Sequence, residues 1–243
     1  MPMLIKSKQN EFIQSLKLLY QKKGPWYPDY FLVEGEHLVQ EAHKANLIEK
    51  MLVLEKDIGL YPHADVVISE LVAQSLSQHK SPPHVFALCK KPLIHSLCGS
   101  PLVYLDGLQD PGNVGTIMRT ALAFGFEGML YHQTTADPFS FKVIQSSQGA
   151  LFSLPLLKIK REDLKVYQQL GYTLCGTTLD NDAMPLNQWK SPDKMILLLG
   201  HEGQGLHEET RAYLDQKIRI PMGNMDSLNV AIAFGIFAYS LRE

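Results

Sequence analysis

The last quarter of the chain most constrains what it can fold into. Leu197-Leu198-Leu199 is an apolar run of strand length that leads directly into Gly200-His201-Glu202-Gly203-Gln204-Gly205. A second short strand, Ile218-Arg219-Ile220, stops at Pro221. Ser227 then opens a segment that is apolar or small from Val230 to Tyr239 and is predicted to be helical over residues 227–241. A helix with apolar residues all round is expected to be buried on all sides, in part against a second subunit. Gly200, Gly203 and Gly205 let the backbone turn tightly and let a ligand approach bare peptide groups. The glycines alone also suit an ordinary strand–loop–helix turn. The polar residues Glu202, Ser227 and Asn229, set in an otherwise apolar region, favour a ligand crevice.

A glycine loop this late in the chain does not match the common nucleotide folds. There is no G-x-x-x-x-G-K-[ST], no G-x-G-x-x-G after the first strand of either unit, and no G-x-S-x-G. H-E-x-x-H and the H-x-E…P-C-x-x-C pattern are also missing, so His201 and His207 read as loop or cap residues and no metal is expected. The 243 residues, 45% hydrophobic and 20% charged, suffice for one large or two small domains with a packed core. With a formal net charge of -2, any nucleic-acid footprint must be local. Cys89, Cys98 and Cys175 have no paired spacing and read as buried, reduced thiols of a cytoplasmic protein. No signal segment is visible, and the longest apolar run is far short of the ~20 residues that span a bilayer, so no membrane association is expected.

Residues 1–92 are predicted to form a small α/β unit. Phe12, Ile13, Leu16, Leu19 and Tyr20 recur at helical spacing, and Gly24-Pro25 ends that helix. Strands are expected at Phe31–Val33, Met51–Leu54, Val66–Ile68 and Val85–Leu88, with a helix over residues 34–45 and another capped by Ser69. Lys6, Lys8, Lys17, Lys22 and Lys23 lie close to Trp26, Tyr27, Tyr30 and Phe31. Cations that neutralise phosphate beside rings that stack on unpaired bases suit RNA. The same pattern also suits a solvated lysine face over a core filled by the aromatics. Residues 93–100 read as a linker.

Residues 101–243 form the second predicted unit, in which strands and helices alternate. After strand Leu102–Leu105 comes the turn-rich loop Asp106 to Asn113, then a helix whose apolar stripe is Val114, Ile117, Met118, Ala121 and Leu122. Asn113 suits the N-cap of that helix. Gly115 sits inside it at a cost of ~1 kcal/mol relative to alanine; either its missing side chain leaves room beside Arg119 one turn later, or it is a tolerated glycine below a surface arginine. Thr177 and Thr178 close a further strand, Tyr172–Gly176. Ligands of open α/β sheets bind beyond the carboxyl ends of the strands, which places these threonines and Gly200–Gly205 at one crevice.

Three segments then match in order and spacing. Asp110-Pro111-Gly112-Asn113-Val114-Gly115-Thr116-Ile117-Met118-Arg119-Thr120-Ala121, Leu199-Gly200-His201-Glu202-Gly203-Gln204-Gly205-Leu206, and Ile220-Pro221-Met222 through Ser227-Leu228-Asn229-Val230-Ala231 resemble the motifs of the SpoU/TrmH family of RNA ribose 2'-O-methyltransferases, in the SPOUT superfamily. The resemblance implies an α/β fold: a knotted (trefoil) C-terminal domain with a mostly parallel sheet, preceded by a small N-terminal α/β RNA-binding domain. It implies S-adenosyl-L-methionine as cofactor and a homodimer formed through the C-terminal domain. By position, Thr177, Gly200, Glu202, Gly205, Ile220 and Leu228 would cradle the cofactor, and Asn113, Arg119, Glu202, Ser227 and Asn229 would form the catalytic set. The resemblance implies Arg119 as a proposed general base, but a guanidinium stays protonated, and a grip on the target phosphate is physically easier. His201 stands where the family often has a small or amide residue. The resemblance implies rRNA as the substrate. Modification of tRNA, or a non-catalytic RNA-binding or ribosome-assembly role, stays open at this point.

Overall fold

The computed structural model describes residues 2–225 and 227–241. The chain divides into two compact units: one runs up to Leu93 and includes Phe139–Ile144, and the other comprises Ile94–Pro138 and the described residues from Gln145 onward.

The first unit contains β1 (Met3–Ile5), α1 (Glu11–Tyr20), β2 (Tyr30–Glu34), α2 (Glu36–Lys44), β3 (Ile48–Leu54), β4 (Val66–Ile68), α3 (Glu70–Leu76) and β5 (Val85–Lys90). Its five-stranded sheet has the order β1-β4-β3-β5-β2, with β1 and β3 parallel to β4, and β5 antiparallel to β2 and β3. The Asn10 side chain caps α1, which turns Ile13, Leu16 and Leu19 into the core. Ser69 caps α3 by accepting from the Val72 amide. Buried Glu34 accepts from the Tyr20 hydroxyl, from Ser77 Oγ at 2.6 Å and from the Gln78 amide at 3.0 Å. Burial, together with the nearby Glu34 carboxylate, pushes the Tyr20 phenol well above its ordinary value. Trp26, Tyr27 and Tyr30 pack partly buried against the core, and Lys91 Nζ sits 4.3 Å from the centre of the Tyr27 ring. Much of their ring surface therefore serves folding. Lys6, Lys8, Lys22 and Lys23 are exposed and Lys17 is half-buried, while Lys6 pairs with Glu55 at 3.4 Å.

The second unit contains β6 (Leu102–Asp106), α4 (Pro111–Ala123), β7 (Gly128–His132), the end of α5 (Phe141–Ser147), β8 (Leu156–Ile159), α6 (Leu164–Gln169), β9 (Thr173–Thr177), β10 (Met184–Pro185), β11 (Met195–Gly200), α7 (Glu208–Arg211), β12 (Gln216–Arg219) and α8 (Val230–Ser240). Seven strands pair in the order β10-β12-β9-β11-β6-β7-β8, every pair parallel. All residues of β6 and β11 are buried, as expected of central parallel strands covered on both faces. From Ile94 onward the segment read as a linker is part of this unit: Leu97 is buried in its core and the Gly99 carbonyl accepts from the Tyr172 hydroxyl at 2.9 Å.

Four local expectations are corrected. First, the N-cap of α4 is Asp110, whose Oδ1 accepts from the Asn113 amide at 2.8 Å, with Pro111 in the first turn. Asn113 lies inside the helix and its side chain is released for other work. Second, Gly115 does not clear space for Arg119. A Cβ there would lie 1.9 Å from Ser146 Oγ and 2.8 Å from the Ser147 amide nitrogen, so the glycine permits close packing of the end of α5. Third, α8 begins at Val230 with Asn229 as its cap, and one face is open: Ile232, Ile236 and Tyr239, spaced i, i+4, i+7, are exposed. Fourth, Cys89 and Cys175 are buried but Cys98 is exposed; burial pushes the Cys175 thiol up to about 12.

Candidate functional site

The register of the parallel sheet sets the site. Gly200 at the end of β11 pairs with Asp106 at the end of β6, and Thr177 at the end of β9 pairs with Ile218 of β12. Four carboxyl ends therefore open on one edge, where ligands of such sheets bind. Asp106, 2% exposed, ties two of the emerging segments: its Oδ1 accepts from Arg161 Nε at 2.9 Å and its Oδ2 from the His207 amide at 2.8 Å. A buried carboxylate held by a guanidinium and a backbone amide leaves neither charge uncompensated. His132, at the end of β7, has its imidazole pushed below the ordinary value, chiefly by burial and further by Arg161.

The glycine loop closes on itself at this edge. His201 and Gly205 exchange both backbone bonds, at 2.9 and 2.8 Å. A Cβ on Gly200 would lie 2.0 Å from the Gly205 carbonyl carbon and 2.1 Å from the Leu206 nitrogen, so only glycine fits. Gly205 has φ +69°, the left-handed region. His201 Nδ1 accepts from the Gly203 amide at 3.1 Å, a bond that an amide side chain at this position could equally make.

A cavity of about 460 Å³ opens between this loop, Thr177–Asp180, and the residues Ile218, Ile220, Met222, Ser227, Leu228 and Val230. Thr177, Gly200, Glu202, Gly205, Ile220 and Leu228, the six residues of the expected cofactor cradle, all line it, as does Ser227. Glu202 links the cavity to α4. Its Oε1 accepts from Asn113 Nδ2 at 3.2 Å and from the Asp110 amide at 3.4 Å. Asn113 Oδ1 in turn accepts from Asn229 Nδ2 at 3.0 Å, and Asn229 Oδ1 caps α8 through the Ala231 and Ile232 amides. Three of the five expected catalytic residues thus form one chain of hydrogen bonds, and of the set Glu202 and Ser227 line the cavity. Arg119 is exposed on α4 and has no hydrogen-bond or ion-pair partner among the described residues. Lys6, Lys8, Lys17, Lys22 and Lys23 all belong to the first unit.

Sequence reasoning passed over three polar residues here. Asp110 braces Glu202 through its backbone, and its Asp-Pro pair is an N-cap signal that was available in the sequence. Asp180 and Arg211 both line the cavity and join through Nη2 and Oδ2 at 2.5 Å. Partial burial raises the Asp180 carboxyl, but hydrogen bonds from Lys217 and Arg211 outweigh it and hold the group below its ordinary value. No local pattern marks that pair, because 31 residues separate its members. Among the described residues no group of three or more His, Cys, Asp or Glu could hold a metal ion, and no helix is long and apolar enough to cross a membrane.

A parallel α/β sheet with a cavity at its carboxyl edge, walled by a glycine hairpin and joined to a Glu202–Asn113–Asn229 hydrogen-bond chain, defines a small-molecule site on an α/β scaffold. The family profile for SpoU rRNA methylases matches residues 100–239, and the chain belongs to that family. It is 31% identical to the 23S rRNA (guanosine(2553)-2'-O)-methyltransferase RlmP of Bacillus subtilis, over 98% of each chain. It is 32% identical to the 23S rRNA (guanosine-2'-O-)-methyltransferase RlmB of Salmonella typhimurium, over 92% of this chain and 93% of that one. Among solved structures, the AdoMet-bound rRNA methyltransferase of Sinorhizobium meliloti superposes with a TM-score of 0.86 at 28% identity, covering 98% of this chain and 97% of that one.

Proposed function

We propose that this protein is an S-adenosylmethionine-dependent RNA methyltransferase that modifies a ribose 2'-hydroxyl, in a guanosine of 23S rRNA. The observation that carries this reading is the connection of a backbone-walled cavity to the Glu202–Asn113–Asn229 chain. The cavity suits the cofactor: 460 Å³ lies within the roughly 300–1,000 Å³ usual for such ligands. Its glycine wall offers bare peptide groups, and Ile218, Ile220, Leu228 and Phe237 offer apolar surface to a base. Relatives named for 23S rRNA match across both units, which favours rRNA over tRNA.

When bound, S-adenosylmethionine supplies an electrophilic methyl group on a sulfonium. The remaining work falls to this chain's residues. Thr177, Gly200, Gly205, Ile220 and Leu228 would hold the cofactor. Asn113 and the Asp110 amide fix Glu202 through Oε1, and Oε2, 3.9 Å from His201 Nε2, would accept the proton of the ribose hydroxyl at the cavity wall. Ser227 and Asn229 would position the ribose. Arg119, unpaired among the described residues and always cationic, would grip a flanking phosphate bidentately. The exposed lysines of the first unit would supply the remaining backbone affinity.

The open apolar stripe Ile232, Ile236 and Tyr239 on α8 supports a homodimer formed through the second unit. The knot belongs to the same proposal, supported by the order β12-β9-β11-β6, in which the last strand lies outside β9. A cytoplasmic setting is proposed with it.

Incubation of the purified protein with methyl-labelled S-adenosylmethionine and unmodified 23S rRNA, followed by nucleoside analysis, tests this reading. Label in 2'-O-methylguanosine is expected. Label confined to a base, or transfer to tRNA alone, would contradict it.

A further inference from the structure

Two charged residues of the cavity take no part in the proposed catalytic chain. Of the charged side chains that line the cavity, Asp180, Glu202 and Arg211, only Arg211 is permanently cationic, counting the described residues. Glu202 is engaged by Asn113 and Asp110. Arg211, in the last turn of α7, is fixed at one nitrogen by Asp180 Oδ2. Asp180 is itself anchored by Lys217 Nζ at 3.2 Å, and Lys217 also bonds Asp182 at 3.0 Å. Two carboxylates and two cations thus balance before any ligand enters. The Arg211 side chain keeps 37% of its surface exposed, and its other guanidinium donors have no partner among the described residues. A guanidinium held on one edge and open on another is a preorganised receptor for a second, planar oxyanion. Ile220, Leu228 and Phe237 add apolar surface to the same cavity. A ligand that matches this lining combines apolar surface with a planar oxyanion such as a carboxylate.

We propose that Arg211, braced by Asp180, is the subsite for the carboxylate of the cofactor's amino-acid tail. The proposal rests on the reading of this cavity as the S-adenosylmethionine site. It makes Arg211 the residue by which the cavity separates the complete cofactor from adenosine thioethers that lack an amino acid. Asp180 acts as a positioning residue that aims the guanidinium.

Titration calorimetry of the full chain with three ligands isolates the contact. S-Adenosylhomocysteine carries the whole tail, S-adenosyl-3-thiopropylamine lacks only the carboxylate, and 5'-methylthioadenosine lacks the tail. A charge-assisted bond to the carboxylate is expected to make the wild-type chain bind the first about tenfold or more tighter than the second. Arg211→Gln is expected to shrink that ratio to about twofold or less, leave the 5'-methylthioadenosine Kd within about twofold, and Arg211→Lys to give an intermediate ratio. A wild-type ratio near one overturns the proposal without any variant. Equal weakening of all three ligands by Arg211→Gln would make the residue a loop brace only, and a loss confined to RNA affinity would make its anion a phosphate; either result overturns the proposal. If the wild-type chain binds none of the three, the reading of the cavity as a cofactor site fails first, a result distinct from a ratio near one.

Discussion

Gly200→Ala is expected to abolish S-adenosylhomocysteine binding and to destabilise the second unit, whereas Gly203→Ala in the same loop is expected to leave stability near that of the wild type. The contrast follows from what each added methyl group meets. At Gly200 the nearest atoms, at 2.0 to 2.4 Å, are backbone atoms of Gly205 and Leu206. They cannot swing aside as a side chain would, because the His201–Gly205 backbone pair fixes them. Overpacking of this kind costs about 1–3 kcal/mol or more. Relief would require opening the hairpin that walls the cavity. At Gly203 the nearest atom is His201 Nδ1 at 3.9 Å, an ordinary contact. Gly205 falls between the two: nothing lies within 4 Å of an added Cβ, but its φ of +69° strains any other residue, by about 1 kcal/mol. Thermal melts should rank the alanine variants 200, 205, 203 from least to most stable. A Gly200→Ala protein that melts with the wild type and binds the ligand would show that the loop is not built as described.

Asn113→Ala is expected to lower kcat about a hundredfold or more while changing cofactor affinity only a few-fold. Asn113 is the middle of the chain that runs from Glu202 to Asn229: its amide nitrogen donates to Glu202 Oε1 and its amide oxygen accepts from Asn229 Nδ2. Truncation removes both bonds, yet Asn113 does not line the cavity proposed for the cofactor. The loss should therefore appear in turnover at saturating substrate. Asn113→Asp should do greater damage, since it places a second carboxylate where Glu202 Oε1 now receives a donor at 3.2 Å. A joint Asn113→Ala, Glu202→Gln variant should lose far less than the product of the single losses, because residues acting as a unit are not additive. Single-turnover measurements at saturating RNA and cofactor check this. An Asn113→Ala kcat within threefold of the wild type would remove Asn113 from the catalytic set.

Much of the second unit was legible in the sequence because its central strands are buried on both faces. Such strands read as unbroken apolar runs, as in Leu197–Leu199, and the glycine loop follows directly. Elements that were missed lack that signal. β1 and β10 are three and two residues long, sheet-edge strands whose existence depends on partners distant in sequence. The open face of α8 could not be separated from its buried face, since the helix is apolar or small throughout and only tertiary packing distinguishes Ile232 from Phe234. Gly115 was rightly singled out as needing a reason, but the reason is the approach of Ser146 and Ser147, which no window around residue 115 contains. Asn113 was weighed as a cap because local pattern favours that use; Asp110 holds the cap, which is what frees Asn113 for Glu202. Arg211 and Asp180 meet only through the fold.

The most direct test of the central claim is a map of ribose 2'-O-methylation across total RNA from cells with and without the gene for this chain. Loss of the mark at one guanosine of 23S rRNA, restored by the wild-type gene and not by the Asn113→Ala form, is the result expected. An unchanged 23S rRNA, or a loss confined to tRNA, would contradict it.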